Sequence, residues 1–139
     1  MARRSIEVPG LHHGGLPIPQ ASVVGNLLAS SGISPLDPDT GAVPEDVEDQ
    51  VALVFANVAR VLAAAGGSPD DVAKVTVFVR DKSIRPVIDK NWLEMFPDEA
   101  SRPAGSARLG PMIAPIMAAH TTRESSRARR CGCARSVAA

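Results

Sequence analysis

The chain has 139 residues, 45% hydrophobic and 22% charged, with 15 Lys and Arg against 15 Asp and Glu. That length holds one domain and leaves no room for a second, and the composition is that of an ordinary globular protein rather than a disordered one. Zero net charge removes the electrostatic case for a nucleic-acid or membrane-surface protein. No run of 18 apolar residues is present to span a bilayer.

The first element in chain order is Ser5 to Val8, which alternates polar and apolar as a half-buried strand does and stops at Pro9-Gly10. Residues 12–20 (HHGGLPIPQ) form a loop. Ala21–Val24 and Leu27–Ser30 flank Gly25-Asn26, the pattern of a hairpin with a two-residue turn. The cluster Pro35 to Gly41 then reverses the chain. From Pro44 to Ala65 large apolar residues fall at 47, 51, 54, 55, 58, 61 and 62, one buried face of a helix. Acids in its first turn suit the helix dipole and Gly66-Gly67 ends it. Ser68 to Asp71 reads as a cap and a single helical turn, followed by a β-branched strand at Lys74–Val79. A second amphipathic helix is predicted over 83–96, with Pro86 in its first turn. Arg108 to Met117 is apolar but broken by Gly110, Pro111 and Pro115, and no strand is assigned there. The order of elements predicts an α+β domain over residues 1–120, with helices on one face of a sheet.

Residues 121–139 carry five Arg against Glu124 alone, a net +4 that leaves −4 on the remainder. This tail has neither helical nor strand periodicity and is expected to be a disordered, solvated extension. The core has only Phe55, Phe78, Trp92 and Phe96 as aromatics, so Val, Ala, Leu and Ile must fill it. A chain of this size buries about two-thirds of its unfolded surface, and association into an oligomer would help it. The basic start, Met1 to Arg4, has no apolar segment of signal-peptide type after it, so a cytoplasmic protein is expected. His12, His13 and His120 do not form a metal-ligand pattern, and Cys131-Gly132-Cys133 lacks the second pair that a structural zinc site needs. Phosphate-binding and triad motifs are missing from the sequence.

Four spaced segments, VGNLLASSGISPLDPDTGAVPEDVEDQ, LAAAGGSPDDVAKVTVFVRD, NWLEMF and SRPA, together resemble the Rid family (YjgF, or L-PSP) over about residues 16–104. The resemblance implies a chorismate-mutase-like fold, a mixed sheet carrying two helices on one face, assembled as a homotrimer with ligand sites between subunits. It implies hydrolysis of small 2-imino or enamine acids to keto acid and ammonia, with no cofactor and no metal. Such chemistry needs a cation for the substrate carboxylate, ideally an Arg fork, and groups that place and activate a water.

By resemblance, Ser31 and Asp89 are the candidate catalytic residues. Ser31 matches a family serine, and reads otherwise as a residue capping the strand end. Asp89 stands where the family has Asn, and reads otherwise as an exposed helix acid. Ile18, Gln20, Arg102 and Gly105 are the candidate substrate-binding residues. Ile18 replaces an aromatic position, typically Tyr, and Gln20 matches. The family's R-P-A-R becomes Arg102-Pro103-Ala104-Gly105, so the carboxylate-binding Arg is missing at its own position. Arg102 or Arg108 could replace it only if the backbone path differed, because a three-residue offset reverses the facing of a strand residue.

The family's closing I-E-I-E-A strand is not found, its position falling on Thr122 with Glu124 nearby. The departure after Ala104 fits either a frameshift in the coding sequence or a subgroup with a remodelled site. Two functions remain open: a trimeric imine hydrolase, expected to gain activity on Gly105→Arg, and a non-catalytic trimer that binds a small molecule or partner. A third, the ribonuclease or translation-inhibitor activity of the family's older names, is opposed by the neutral body and left open by the +4 tail.

Overall fold

The computed structural model describes residues 1–110 and the backbone of the strand at 114–120. Its strands are β1 (Arg4–Ile6), β2 (Ala21–Val24), β3 (Leu27–Ser30), β4 (Val72–Val79), β5 (Ala104–Leu109) and β6 (Ala114–His120); its helices are α1 (Val47–Ala65) and α2 (Arg85–Met95). Among the described residues the strands form one mixed sheet in the order β1-β2-β3-β6-β4-β5. Only β4 and β5 run parallel, joined by the crossover through α2. This is the α+β architecture the element order predicts.

The β2–β3 hairpin turns at Gly25, whose φ of 61° puts only the first central residue in the left-handed region, as in a II′ turn. Helix α1 begins later than predicted. Asp46 caps it by accepting from the amides of Glu48 (2.7 Å) and Asp49 (3.3 Å), so Pro44 lies outside, its carbonyl accepting from Gln50 Nε2. At the other end Gly66 adopts φ 83° and the amide of Gly67 donates to Leu62 O, a Schellman closure. The cap and single helical turn predicted at Ser68 to Asp71 are present ahead of β4, with the Ser68 amide and hydroxyl both donating to Asp71 Oδ2. The second helix divides into a 3-10 turn at Lys82–Ile84, capped by Asp81, and α2 proper.

The core lies between the helices and one face of the sheet. Val51, Val54, Val58, Val61 and Leu62 of α1 and Ile88 of α2 pack over Val23, Leu28, Val75, Val77 and Val79. Alternation in β4 leaves Lys74 exposed and Thr76 and Phe78 half-buried on the opposite face. Exposed Val24 and Leu27 share that second face. Asn57 is fully buried in the apolar stripe of α1, where its Nδ2 donates to Ser34 O and Leu36 O at 2.9 Å. Its Oδ1 accepts from Arg60. Asn57 thereby fixes the loop between β3 and α1.

Two strands stand where none was assigned. β5 escapes periodicity because AGSARL is small and polar along an edge position. β6 contains Pro115 yet is internal to the sheet. The pairing explains this: among the described residues β3 covers only residues 118–120 of β6, whereas residues 114–117 pair with β4 alone. A strand open on one side accommodates proline. The basic segment 121–139, with Thr122, Glu124, Cys131 and Cys133, lies outside the described residues.

Candidate functional site

A cleft of about 390 Å³ opens between α2 and the edge strand β5. Its helical wall consists of Arg85, Ile88, Asp89 and Trp92, spaced i, i+3, i+4 and i+7 and therefore on one side of α2. Its strand wall follows from the parallel register, in which Gly105 sits opposite Val75 and Ala107 opposite Val77. Registered neighbours share a face, so Gly105 and Ala107 point toward the helix as Val75 and Val77 do. Ser106 faces the other way, its Oγ 3.1 Å from Thr76 Oγ1. A second hollow, lined by Asp81, Lys82 and Arg108, continues the cleft and shares Arg85, Ile88 and Ala107 with it.

The structure brings Asp89, Arg102 and Gly105 together in this cleft. Asp89 is not an isolated helix acid: its Oδ1 accepts from Arg85 Nε at 2.7 Å, in a pair whose side chains are 66% and 52% exposed. Arg102 is already engaged. Its Nε donates to Phe96 O (3.1 Å) and its Nη2 to Pro97 O (3.4 Å), so it closes the carbonyl end of α2. Arg108 is registered with Phe78, on the strand face opposite Gly105. Neither of these arginines stands at position 105.

The space beside Gly105 is occupied. A Cβ at this residue would lie 3.0 Å from Trp92 Cη2, and Trp92 in turn packs edge-on against Phe96 with ring centroids 4.9 Å apart. Gly105→Arg therefore requires Trp92 to move, which changes the expectation that this substitution alone raises activity.

Ile18, Gln20 and Ser31 stand elsewhere. Ser31 Oγ donates to Pro19 O at 2.7 Å and its amide to Gln20 O at 2.9 Å, tying the end of β3 to the loop before β2. That is the capping geometry. Gln20 is 3% exposed and its backbone N–H donates to Ile6 O, whereas Ile18 is 46% exposed. Strands β6 and β4 lie between β3 and β5, so one chain carries two halves of the candidate site on opposite flanks of its sheet.

Arg85 was missed as a site residue, although its i, i+4 spacing from Asp89 and i, i+7 spacing from Trp92 were visible. Asp81 at the mouth of the second hollow is held below the ordinary carboxylate range, first by the amide of Ser83 and then by its hydroxyl. His12 Nδ1 accepts from the Gly14 amide, while the buried Nε2 of His13 has no hydrogen-bond partner among the described residues. No group of three or more His, Cys, Asp or Glu suited to a metal ion stands together among the described residues.

Residues 17–109 match the family described as Endoribonuclease L-PSP. The family match thus extends through β5, five residues beyond Ala104, where the sequence seemed to depart. A 2-iminobutanoate/2-iminopropanoate deaminase of Salmonella typhimurium is 36% identical over 91 residues, covering 65% of this chain and 71% of that protein. A RutC family protein of Pyrococcus horikoshii is 38% identical over 89 residues, 63% of this chain and 69% of the other. Among solved structures, a Rid-family protein of Yersinia pestis superposes with TM-score 0.79 at 27% identity, covering 86% of this chain and 100% of the other. Escherichia coli TdcF with bound serine gives TM-score 0.77 at 28% identity, covering 86% and 99%. Sequence match and superposition agree that the chain belongs to the endoribonuclease L-PSP family, the Rid or YjgF proteins.

Proposed function

We propose that the protein hydrolyses small 2-imino or enamine acids to the keto acid and ammonia, in clefts between the subunits of a homotrimer. The observation that carries this reading is the relationship to a deaminase of 2-iminobutanoate and 2-iminopropanoate at 36% identity. In the reaction water adds to the imine carbon, the C–N bond breaks, and the nitrogen leaves as ammonia with protons drawn from water. No cofactor enters that balance. The protein's part is to hold the carboxylate, exclude bulk solvent and orient the water.

The division of the candidate residues supports the trimer. Ile18, Gln20 and Ser31 lie on one flank of the sheet and Asp89, Arg102 and Gly105 on the other, so a site using both sets draws them from neighbouring subunits. The helix-free sheet face, with Val24 and Leu27 about half exposed, supplies apolar surface for that contact. Asp89, fixed by Arg85, is the acceptor available to orient water, and Trp92, Ile88 and Val77 offer apolar contact to a short side chain. No described helix is long and apolar enough to cross a membrane; the reading places the reaction in the cytoplasm. The word endoribonuclease enters only as the family's name.

Gly105 at the carboxylate position favours a second reading, a trimer of the same fold that binds a small molecule without turning it over. Imino acids generated by an amino-acid oxidase, with semicarbazide trapping the free imine, separate the two. Hydrolysis predicts less semicarbazone and faster ammonia release when the protein is added. Unchanged semicarbazone formation with trimeric protein removes the enzymatic reading.

A further inference from the structure

We propose that Arg85 is the carboxylate anchor of the α2–β5 cleft, taking over from a different element the task that residue 105 has no side chain to perform. The inference rests on the assignment of this cleft as the substrate site. Three observations carry it. The volume beside Gly105 belongs to Trp92, whose Cη2 lies 3.0 Å from where a Cβ would stand, so the cleft is built without a side chain there. Of the other cations nearby, Arg102 is committed to the carbonyls of Phe96 and Pro97, and Lys82 and Arg108 line the adjoining hollow but not this cleft, Arg108 from the strand position opposite in facing to Gly105. Arg85 shares the cleft with Gly105 and Trp92 and spends only its Nε, on Asp89.

The guanidinium chemistry fits the task. With Nε held by Asp89 Oδ1, the Nη1 and Nη2 edge has no hydrogen-bond partner among the described residues. Two parallel N–H donors on that edge match the two oxygens of a carboxylate. Asp89 then has a second consequence as a positioning residue, because it fixes one edge of the fork and removes rotamer freedom that binding would otherwise have to remove. Ile88, Trp92 and Val77 form the apolar part of the same cleft, which suits a small 2-oxo or 2-imino acid with a short aliphatic side chain rather than a polar one.

The test uses 2-oxobutanoate, a stable compound of the product class, titrated calorimetrically into the full-length protein, alongside the imine assay. Arg85→Ala is expected to weaken binding about 10- to 100-fold, the loss of a charge-assisted bidentate contact. Arg85→Lys keeps the charge without the fork and is expected to recover part of that loss. Lys90→Ala, an exposed cation of the same helix that does not line this cleft, is expected to stay within about twofold. Equal affinity of the wild type and both Arg85 variants overturns the proposal. Hydrolysis that persists in Arg85→Ala overturns the anchor and leaves the enzymatic reading standing. Arg85-dependent binding without hydrolysis supports the anchor and removes the enzymatic reading. No binding by the wild type overturns the anchor outright.

Discussion

The pairing of Gly105 with Trp92 makes a quantitative prediction. Gly105 does not adopt a positive φ, so alanine fits its backbone and restricts the unfolded chain, a gain of about 0.4–1 kcal/mol. Against that, the new Cβ meets Trp92 Cη2 at 3.0 Å, Cζ2 at 3.4 Å and Cζ3 at 3.6 Å, while carbon atoms prefer about 3.5–4.0 Å. The indole must give by a few tenths of an ångström, and it is packed against Phe96. Gly105 itself is exposed but the indole it meets is half-buried, and overpacking of this kind costs about 1–2 kcal/mol. Gly105→Ala is therefore expected to be neutral to about 1.6 kcal/mol destabilising in the wild type, and stabilising by about 0.4–1 kcal/mol in a Trp92→Leu background. The double-mutant cycle gives a coupling of about 1–2 kcal/mol. Urea unfolding followed by circular dichroism, at one protein concentration for all four proteins, measures it without relying on the lost indole. Additivity within about 0.3 kcal/mol would refute the claim that Trp92 fills the space of residue 105.

Three further outcomes follow from the fold. Asn57→Ala strands the carbonyls of Ser34 and Leu36 and is expected to cost about 2–4 kcal/mol in denaturant unfolding, more than its small loss of volume would explain. Asp46→Ala removes the α1 cap and is expected to cost about 1 kcal/mol, whereas Asp46→Ser, which can accept the same amides, recovers most of it in the same measurement. Asp81 has its folded pKa lowered by the amide and hydroxyl of Ser83, so its contribution is complete above the ordinary carboxylate pKa and is lost as pH falls through the lower folded value. The stability gap between wild type and Asp81→Ala is thus expected to be constant near neutrality and to close below about pH 4, read from urea midpoints across an acid series.

The legible and illegible parts of this chain differ for physical reasons. The α1 stripe and the Gly25 hairpin are local: spacing and turn chemistry determine them, and the structure departs only at Pro44, which yields the cap to Asp46. Asn57 interrupts an apolar stripe at i+3 from Val54, a signal that a buried amide must be holding a neighbouring loop. β5 and β6 could not be read because their periodicity is set by partners, an edge position for one and a one-sided ladder around Pro115 for the other. The vacancy at Gly105 was visible through family resemblance. Its filling by Trp92, 13 positions earlier, and the arrival of Arg85 in the same cleft depend on the parallel β4–β5 register, which no local pattern encodes.

The measurement that tests the account most directly is the rate of imine hydrolysis by the wild type and Arg85→Ala side by side, using 2-iminobutanoate generated in the assay and ammonia as the readout. The account predicts clear acceleration by the wild type and a loss of about 10- to 100-fold in kcat/KM for Arg85→Ala at an unchanged oligomeric state. Equal rates for the two proteins, or no acceleration by either, would contradict it.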